Sequence, residues 1–155
     1  MNDRGYVLPC KRVAAGALFL DEADRVLLVN PTYKPEWEMP GGIVEENESP
    51  RQACIREIKE ELGLTIEPGH LVSLDYRSAQ AVGHPGDVLR FIFWGGRLSE
   101  AEIGQIRLQA EELSEYRFCT RAEVQQRLKP RFAQAVLAGL DLLVSEKTHY
   151  VEYWA

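Results

Sequence analysis

Apolar positions in this chain fall into short runs separated by charged and turn-forming residues, and the runs keep two different periods. Lys11–Leu20 (KRVAAGALFL) and Arg25–Asn30 (RVLLVN) are small-residue and aliphatic runs of strand length, and the DEAD segment between them predicts a hairpin turn. Pro31–Met39 (PTYKPEWEM) holds two prolines and reads as a loop, ended by Pro40-Gly41-Gly42. From Ser49 the period becomes helical: Cys54, Ile55, Ile58 and Leu62 fall on one side at about 100° per residue. Ser49 suits the N-cap, Pro50 the first helical position, Gln52 the return bond of a capping box and Gly63 the stop. Leu71–Ala79, Asp87–Arg97 and Glu115–Thr120 read as strands, the first two separated by the polar loop QAVGHPG. Thr120 with Glu123 opens a short helix. Phe132, Ala133, Val136, Leu137, Leu140, Leu143 and Val144 recur at helical spacing and predict a long amphipathic helix over about residues 130–147.

Strands and helices are mixed without regular βαβ alternation, which predicts an α+β or mixed-sheet α/β layered domain. Neither a repeat nor a Gly/Ser linker divides the sequence, so residues 1–155 read as one domain, long enough to bury a core. A composition of 45% apolar and 27% charged residues is that of a soluble globular protein. No apolar run approaches the ~18 residues that span a bilayer. The opening MNDRGYVLPCKR lacks the apolar centre of a signal peptide. Cys10, Cys54 and Cys119 form neither a CxxC pair nor a metal-ligand spacing, so they read as reduced thiols of a cytoplasmic protein. A net charge of −6 argues against non-specific nucleic-acid binding, yet a polyanion remains within reach if metal cations intervene.

That condition gives meaning to the helix after Ser49. Glu57, Glu60 and Glu61 lie at relative angles of about 0°, −60° and +40°, on one face and apart from the apolar stripe. Like charges at this spacing destabilise a helix by a few tenths of a kcal/mol and raise one another's pKa unless something positive sits among them. A hexapeptide such as EIKEEL alone is equally a solvated acidic face, since Glu is a good helix former. As a metal site, an oxygen-only set suits Mg²⁺ or Mn²⁺; without His or Cys, zinc is a poor match.

The surrounding spacing favours the metal reading. Gly42, five residues, Glu48, seven residues, then Arg56-Glu57-Ile58-x-Glu60-Glu61-x-Gly63-Leu64 fills the pattern GX5EX7REUXEEXGU at every position, U being aliphatic. Over Gly42–Leu64 the chain resembles the Nudix hydrolases. A looser resemblance extends over about residues 11–128: AAGALFLDEADRVLLVN resembles the hairpin before the box, Trp37 precedes the Pro-Gly-Gly as in relatives, and EELSEYRFCTRAEV resembles the acidic loop, strand and short helix that follow the sheet.

The resemblance implies an α/β/α sandwich and Mg²⁺-dependent hydrolysis of a nucleoside diphosphate linked to another moiety, X, by water attack on phosphorus. It implies Glu57 and Glu61 as the most direct metal ligands, Glu60 completing the site, and a ligand role for the Gly42 carbonyl; Gly42 is otherwise a plain turn glycine. Arg56 and Glu48 would pair and hold the box loop against the helix, although Arg56 is also spaced to pair with Glu60. The general base is either a box glutamate or one of Glu111, Glu112 and Glu115, with Glu112 the first choice of the three. For substrate binding, Tyr33 and Trp37 are candidates for stacking, and Arg77 and Arg90 for phosphate or X; each is equally a packing or surface residue.

Subfamily signatures do not select X. Gln80 stands where ADP-ribose enzymes often carry proline, Gln80 and Ala81 where diadenosine polyphosphate enzymes often carry tyrosine, and the SQPWPxS tag of NADH pyrophosphatases is absent. Two other function classes compete: a nucleotide-binding or regulatory module that kept the fold without turnover, and a structural domain whose acidic helix only solubilises it. The intact carboxylate set favours the enzyme. The aromatic tail HYVEYWA docks on its own domain or, in a homodimer, on a partner subunit; the first is the expectation.

Overall fold

A computed structural model describes residue 5 and residues 7–83 and 85–154. His84 of the QAVGHPG loop, Ala155 of the tail and residues 1–4 and 6 of the N-terminal stretch lie outside the described residues. Among the described residues, seven strands and five α-helices follow in the order β1 (Arg12–Leu20), β2 (Val26–Pro31), β3 (Gly41–Ile43), α1 (Pro50–Leu62), β4 (Leu71–Arg77), α2 (Ala79–Val82), β5 (Val88–Arg97), α3 (Glu100–Ile103), β6 (Leu113–Cys119), α4 (Arg121–Arg127), α5 (Pro130–Asp141) and β7 (His149–Tyr153). The strands join in the order β6-β2-β1-β5-β4-β7, with β3 paired to β1; the mix is parallel for β1–β5 and β4–β7 and antiparallel elsewhere.

Alternation along the strands builds two cores. Ala15, Ala17, Phe19 and Phe93 point to one face and pack on Ala53, Cys54, Ile58 and Leu62 of α1. Leu18, Leu20, Val72 and Ile92 point to the other and pack on Val124 of α4 and Phe132, Ala133 and Val136 of α5. The mixed sheet is therefore sandwiched between helices, the expected α/β/α arrangement. Local chemistry fixes α1 as its sequence suggests: the Ser49 hydroxyl accepts the Gln52 amide, the Gln52 side chain accepts the Ser49 amide, and Gly63 closes the helix at φ +71°. Of the expected stripe, Ile55 is only half-buried, and Ala53 completes the buried face instead.

Three differences from the sequence reading have local causes. The β1–β2 hairpin forms, with Asp21 accepting the Ala23 and Arg25 amides at 3.0 and 2.9 Å, but the strands pair only at Leu20 and Val26. They then diverge, β2 toward β6 and β1 toward β3 and β5, and the gap between them becomes the mouth of a cavity. The last helix stops at Asp141 rather than near 147, because a 3-10 turn at Leu143–Ser145 and the left-handed Glu146 (φ +55°) redirect the chain, leaving Val144 99% exposed. Ser78 is not in a strand: its hydroxyl accepts the Ala81 amide and caps the short α2. The tail docks on its own domain, as β7 alongside β4, where the Trp154 ring meets Tyr76 at 5.1 Å.

Candidate active site

The site begins where β3 crosses β1 at short range. A Cβ on Gly41 would lie 2.3 Å from the Ala15 carbonyl oxygen, so only glycine permits this crossing. Next to it, a Cβ on Gly42 would lie 2.3 Å from Glu57 Oε1, so the loop backbone sits directly against that carboxylate. The Gly41 amide donates to Glu61 Oε2 at 2.8 Å. Two backbone positions of the loop are thus held against two carboxylates of α1.

Arg56 ties the remainder together. Its Nε and Nη2 donate to Glu48 Oε1 and Oε2 at 2.8 and 3.0 Å, Nη2 also reaches the Ile43 carbonyl at 3.0 Å, and Nη1 donates to Glu57 Oε1 at 2.8 Å. A longer contact of 3.3 Å joins Nη1 to Glu60 Oε2, so both pairings open to Arg56 are made. The two-pronged pair lowers the Glu48 pKa and raises that of Arg56.

The carboxylates differ in setting. The Glu61 residue is 6% exposed, and burial pushes its pKa up to about 8; the Gly41 amide opposes this, while the charges of Glu57, Glu112 and Glu38 add to it. Burial also raises Glu57, against the pull of Arg56. Glu60 is half exposed and turns toward Arg56. Among the described residues, no three acidic, histidine or cysteine side chains converge as a finished metal cage. With Arg56 as the positive charge in their midst, Glu57 and Glu60 face the guanidinium rather than each other.

The residues nevertheless fit a hard divalent cation. The donors are all oxygen, Gly42 leaves no side chain between the loop and Glu57, and the buried Glu61 carries like-charged neighbours that a cation would relieve.

Glu61 also lines a cavity of about 430 Å³ in the gap between β1 and β2. Of Glu111, Glu112 and Glu115, only Glu112 lines it: Thr32 binds the Glu111 backbone carbonyl at 3.1 Å, and Glu115, within β6, pairs with Asn30. Tyr33, Arg77 and Arg90 line it as well. Trp37 does not: it is 8% exposed, part of the core near Leu28 and Val124, with the Arg127 guanidinium 4.8 Å from its ring. The expectation that Trp37 stacks on a substrate base is corrected accordingly, because the ring's area is already spent on packing.

Several lining residues escaped the sequence reading. Arg12 comes from β1, Lys34 and Glu38 from the loop before β3, and Lys129 and Phe132 from the start of α5, and only tertiary structure gathers these three segments. One signal was available: Ala14 and Gly16 alternate with buried Ala15 and Ala17 on β1, and small side chains on one face of a central strand leave room above it.

Residues 11–139 match the sequence profile of the NUDIX domain. The 8-oxo-dGDP phosphatase NUDT18 of Mus musculus is 36% identical over 80 residues, half of this chain, and the match spans only 23% of that protein's length. The MutT protein from Methanosarcina mazei Go1 superposes with a TM-score of 0.71 at 21% identity, covering 88% of this chain and 97% of that one. The NUDIX domain of Shewanella oneidensis NrtR, complexed with ADP ribose, gives 0.70 at 18% identity, covering 90% and 95%. These structural likenesses speak for the fold, and the profile match over residues 11–139 assigns the lineage: the chain belongs to the Nudix hydrolase family.

Proposed function

We propose that this chain is a one-domain, Mg²⁺-dependent pyrophosphohydrolase of the cytoplasm that cleaves a nucleoside diphosphate linked to a moiety X. The observation that carries this reading is Glu61: a buried carboxylate, held by the Gly41 amide, that opens onto the same cavity as Glu112. Relatives supply the chemical class of ligand, since one is named as acting on 8-oxo-dGDP and another is complexed with ADP ribose. For localisation, no helix among the described residues is long and apolar enough to cross a membrane, and Cys10, Cys54 and Cys119 are free thiols.

In this reading Glu57, Glu61, the Gly42 carbonyl and Glu60 hold the divalent cation. When bound, it neutralises the phosphate bridge and makes an attacking water more acidic. Arg56 and Glu48 keep the Gly41–Glu48 loop seated on α1, so the ligands are placed in advance. Glu112 accepts the proton of the attacking water as its oxygen bonds to one phosphorus of the bridge. The bridging P–O bond on the far side then breaks, releasing two phosphate-bearing products. Tyr33, 71% exposed at the rim, offers a ring for a base to stack on.

The test is a panel of nucleoside triphosphates, dinucleotides and nucleotide sugars, assayed for nucleoside monophosphate or phosphate release with Mg²⁺ and with EDTA. Release from at least one substrate with Mg²⁺, abolished by EDTA, is expected. No release from any, with retained nucleotide binding, would instead indicate a binding module.

A further inference from the structure

The cavity has a second end that the phosphate chemistry leaves unused. Arg12, Ala14 and Gly16 of β1, Val88, Arg90 and Ile92 of β5, and Arg77 of β4 are matched across the sheet and line one continuous floor. Ala14 pairs with Ile43 on one side and Arg90 on the other, so Arg90 stands two strand spacings, roughly 10 Å, from the glycine loop.

At that distance lies an unusual pair. The Arg90 guanidinium stacks on Phe132 with Cζ 3.6 Å from the ring centroid, and Arg77 Cζ lies 5.9 Å from the centroid of the same ring. Arg90 Nη1 and Arg77 Nη2 are buried and have no hydrogen-bond partner among the described residues. Asp75 accepts from Arg77 Nε at 2.9 Å, and its second oxygen is likewise unpartnered. One carboxylate thus offsets one of two guanidinium groups, leaving one positive charge uncompensated. Burial, with Arg77 beside it, lowers the Arg90 pKa to about 10, against the pull of Asp75 and Glu38. Buried donors without acceptors are costly, and a bound ligand that supplies the acceptor is one arrangement that accounts for them.

We propose that Arg77 and Arg90 form an anion subsite that receives a carboxylate or phosphate borne by X, roughly 10 Å across the sheet from the glycine loop. This rests on the hydrolase reading for the position of the bridge and names the class of X. Substrates whose X ends in a second negative group would be held at both ends of the cavity: acidic carboxylates with their cation at one, guanidinium groups at the other. Lys129 and Arg12 line the same cavity and add to the positive field. A neutral X would leave Arg90 Nη1 and Arg77 Nη2 buried without an acceptor, which makes the pair a device for selection.

The experiment compares matched ligands that differ by one anion. Calorimetric titrations with UDP-glucuronate against UDP-glucose test a carboxylate on X. NADP⁺ against NAD⁺, with the adenosine half serving as X, tests a phosphate. All titrations run in Ca²⁺, and Mg²⁺ turnover is measured in parallel. The expected result is tighter binding of the anionic member of at least one pair by ~10-fold or more, since charge-assisted bonds are the strong ones. Arg90→Met should bring that ratio close to one, with Arg77→Met as the second variant should the first misfold. Equal affinities within both pairs in the wild type, or a preference that survives both substitutions, would overturn the subsite. Discrimination in binding without turnover of these ligands or of any member of the wider substrate panel would sink the hydrolase reading and leave the subsite standing; turnover without discrimination would do the reverse.

Discussion

The Gly41 amide hydrogen bonds to Glu61 at 2.8 Å, and through this contact a loop glycine holds a buried carboxylate at the floor of the cavity. One backbone donor does not replace the water that Glu61 has lost. Its pKa of about 8 in the fold, against an ordinary 4.5, means that the folded protein keeps a proton the unfolded chain has already released. Stability therefore falls as pH rises from about 4.5 to about 8, and levels off above that window.

Thermal unfolding in EDTA at pH 5, 6, 7 and 8 should show this decline, amounting to a few kcal/mol. Glu61→Gln keeps the shape and an acceptor for Gly41, so the variant should lose most of the slope and become the more stable protein at pH 8. Glu48, Asp21 and Asp87, whose pKa values are lowered, act in the opposite sense and below that window. Saturating Mg²⁺ should flatten the wild-type curve. Parallel curves for wild type and variant would show that the burial of Glu61 is not what the molecule responds to. The same substitution should cut turnover by roughly 10²-fold or more, because a ligand charge is gone.

Gly42→Ala tests the approach of backbone to carboxylate. The new methyl would meet Glu57 Oε1 at 2.3 Å, and the flexible end of Glu57 must give way. The fold should survive, with Tm within a few degrees of wild type, while the Mg²⁺ concentration for half-maximal activity rises ~10-fold or more. An unchanged metal requirement would place the cation elsewhere.

Arg56→Ala removes five hydrogen bonds to four residues at once, and the consequences separate into stability and activity. The pair with Glu48 is partly buried, with side chains 24% and 15% exposed, so a loss of roughly 1–3 kcal/mol is expected. Turnover should fall as well, because the loop that bears Gly41 and Gly42 loses its anchor at the Ile43 carbonyl. Wild-type values of both Tm and kcat would contradict the positioning role.

Trp37 and Tyr33 make a paired contrast. Trp37→Ala should cost about 3–5 kcal/mol of stability, as large core truncations do, through loss of its packing in the second core. Tyr33→Ala should leave Tm unchanged and raise KM, because its ring is exposed at the cavity rim. A KM effect confined to Trp37 would reverse these assignments.

The contrast also shows where sequence reasoning reached and where it stopped. The two ends of helix α1 were legible to the residue because their signals are local: a hydroxyl three residues from an amide, a proline, a glycine. The box residues were legible because their spacing is local too. Trp37 and Arg90 were not, since an aromatic or an arginine looks the same in a core as in a pocket. Phe132 belongs to the apolar stripe of α5 and lines the cavity as well, a double role that periodicity cannot register. The end of α5 was overrun for a related reason: Leu143 and Val144 keep the helical period in sequence although the backbone has already turned.

The most direct test of the account is a crystal soaked in Mn²⁺ and measured for anomalous scattering. A peak should appear at ~2.2 Å from oxygens of both Glu57 and Glu61, beside the Gly42 carbonyl, as hard divalent cations bind carboxylates. Density that is flat there at saturating Mn²⁺, with those side chains still turned to Arg56 and Gly41, would contradict the metal on which the proposed hydrolysis depends.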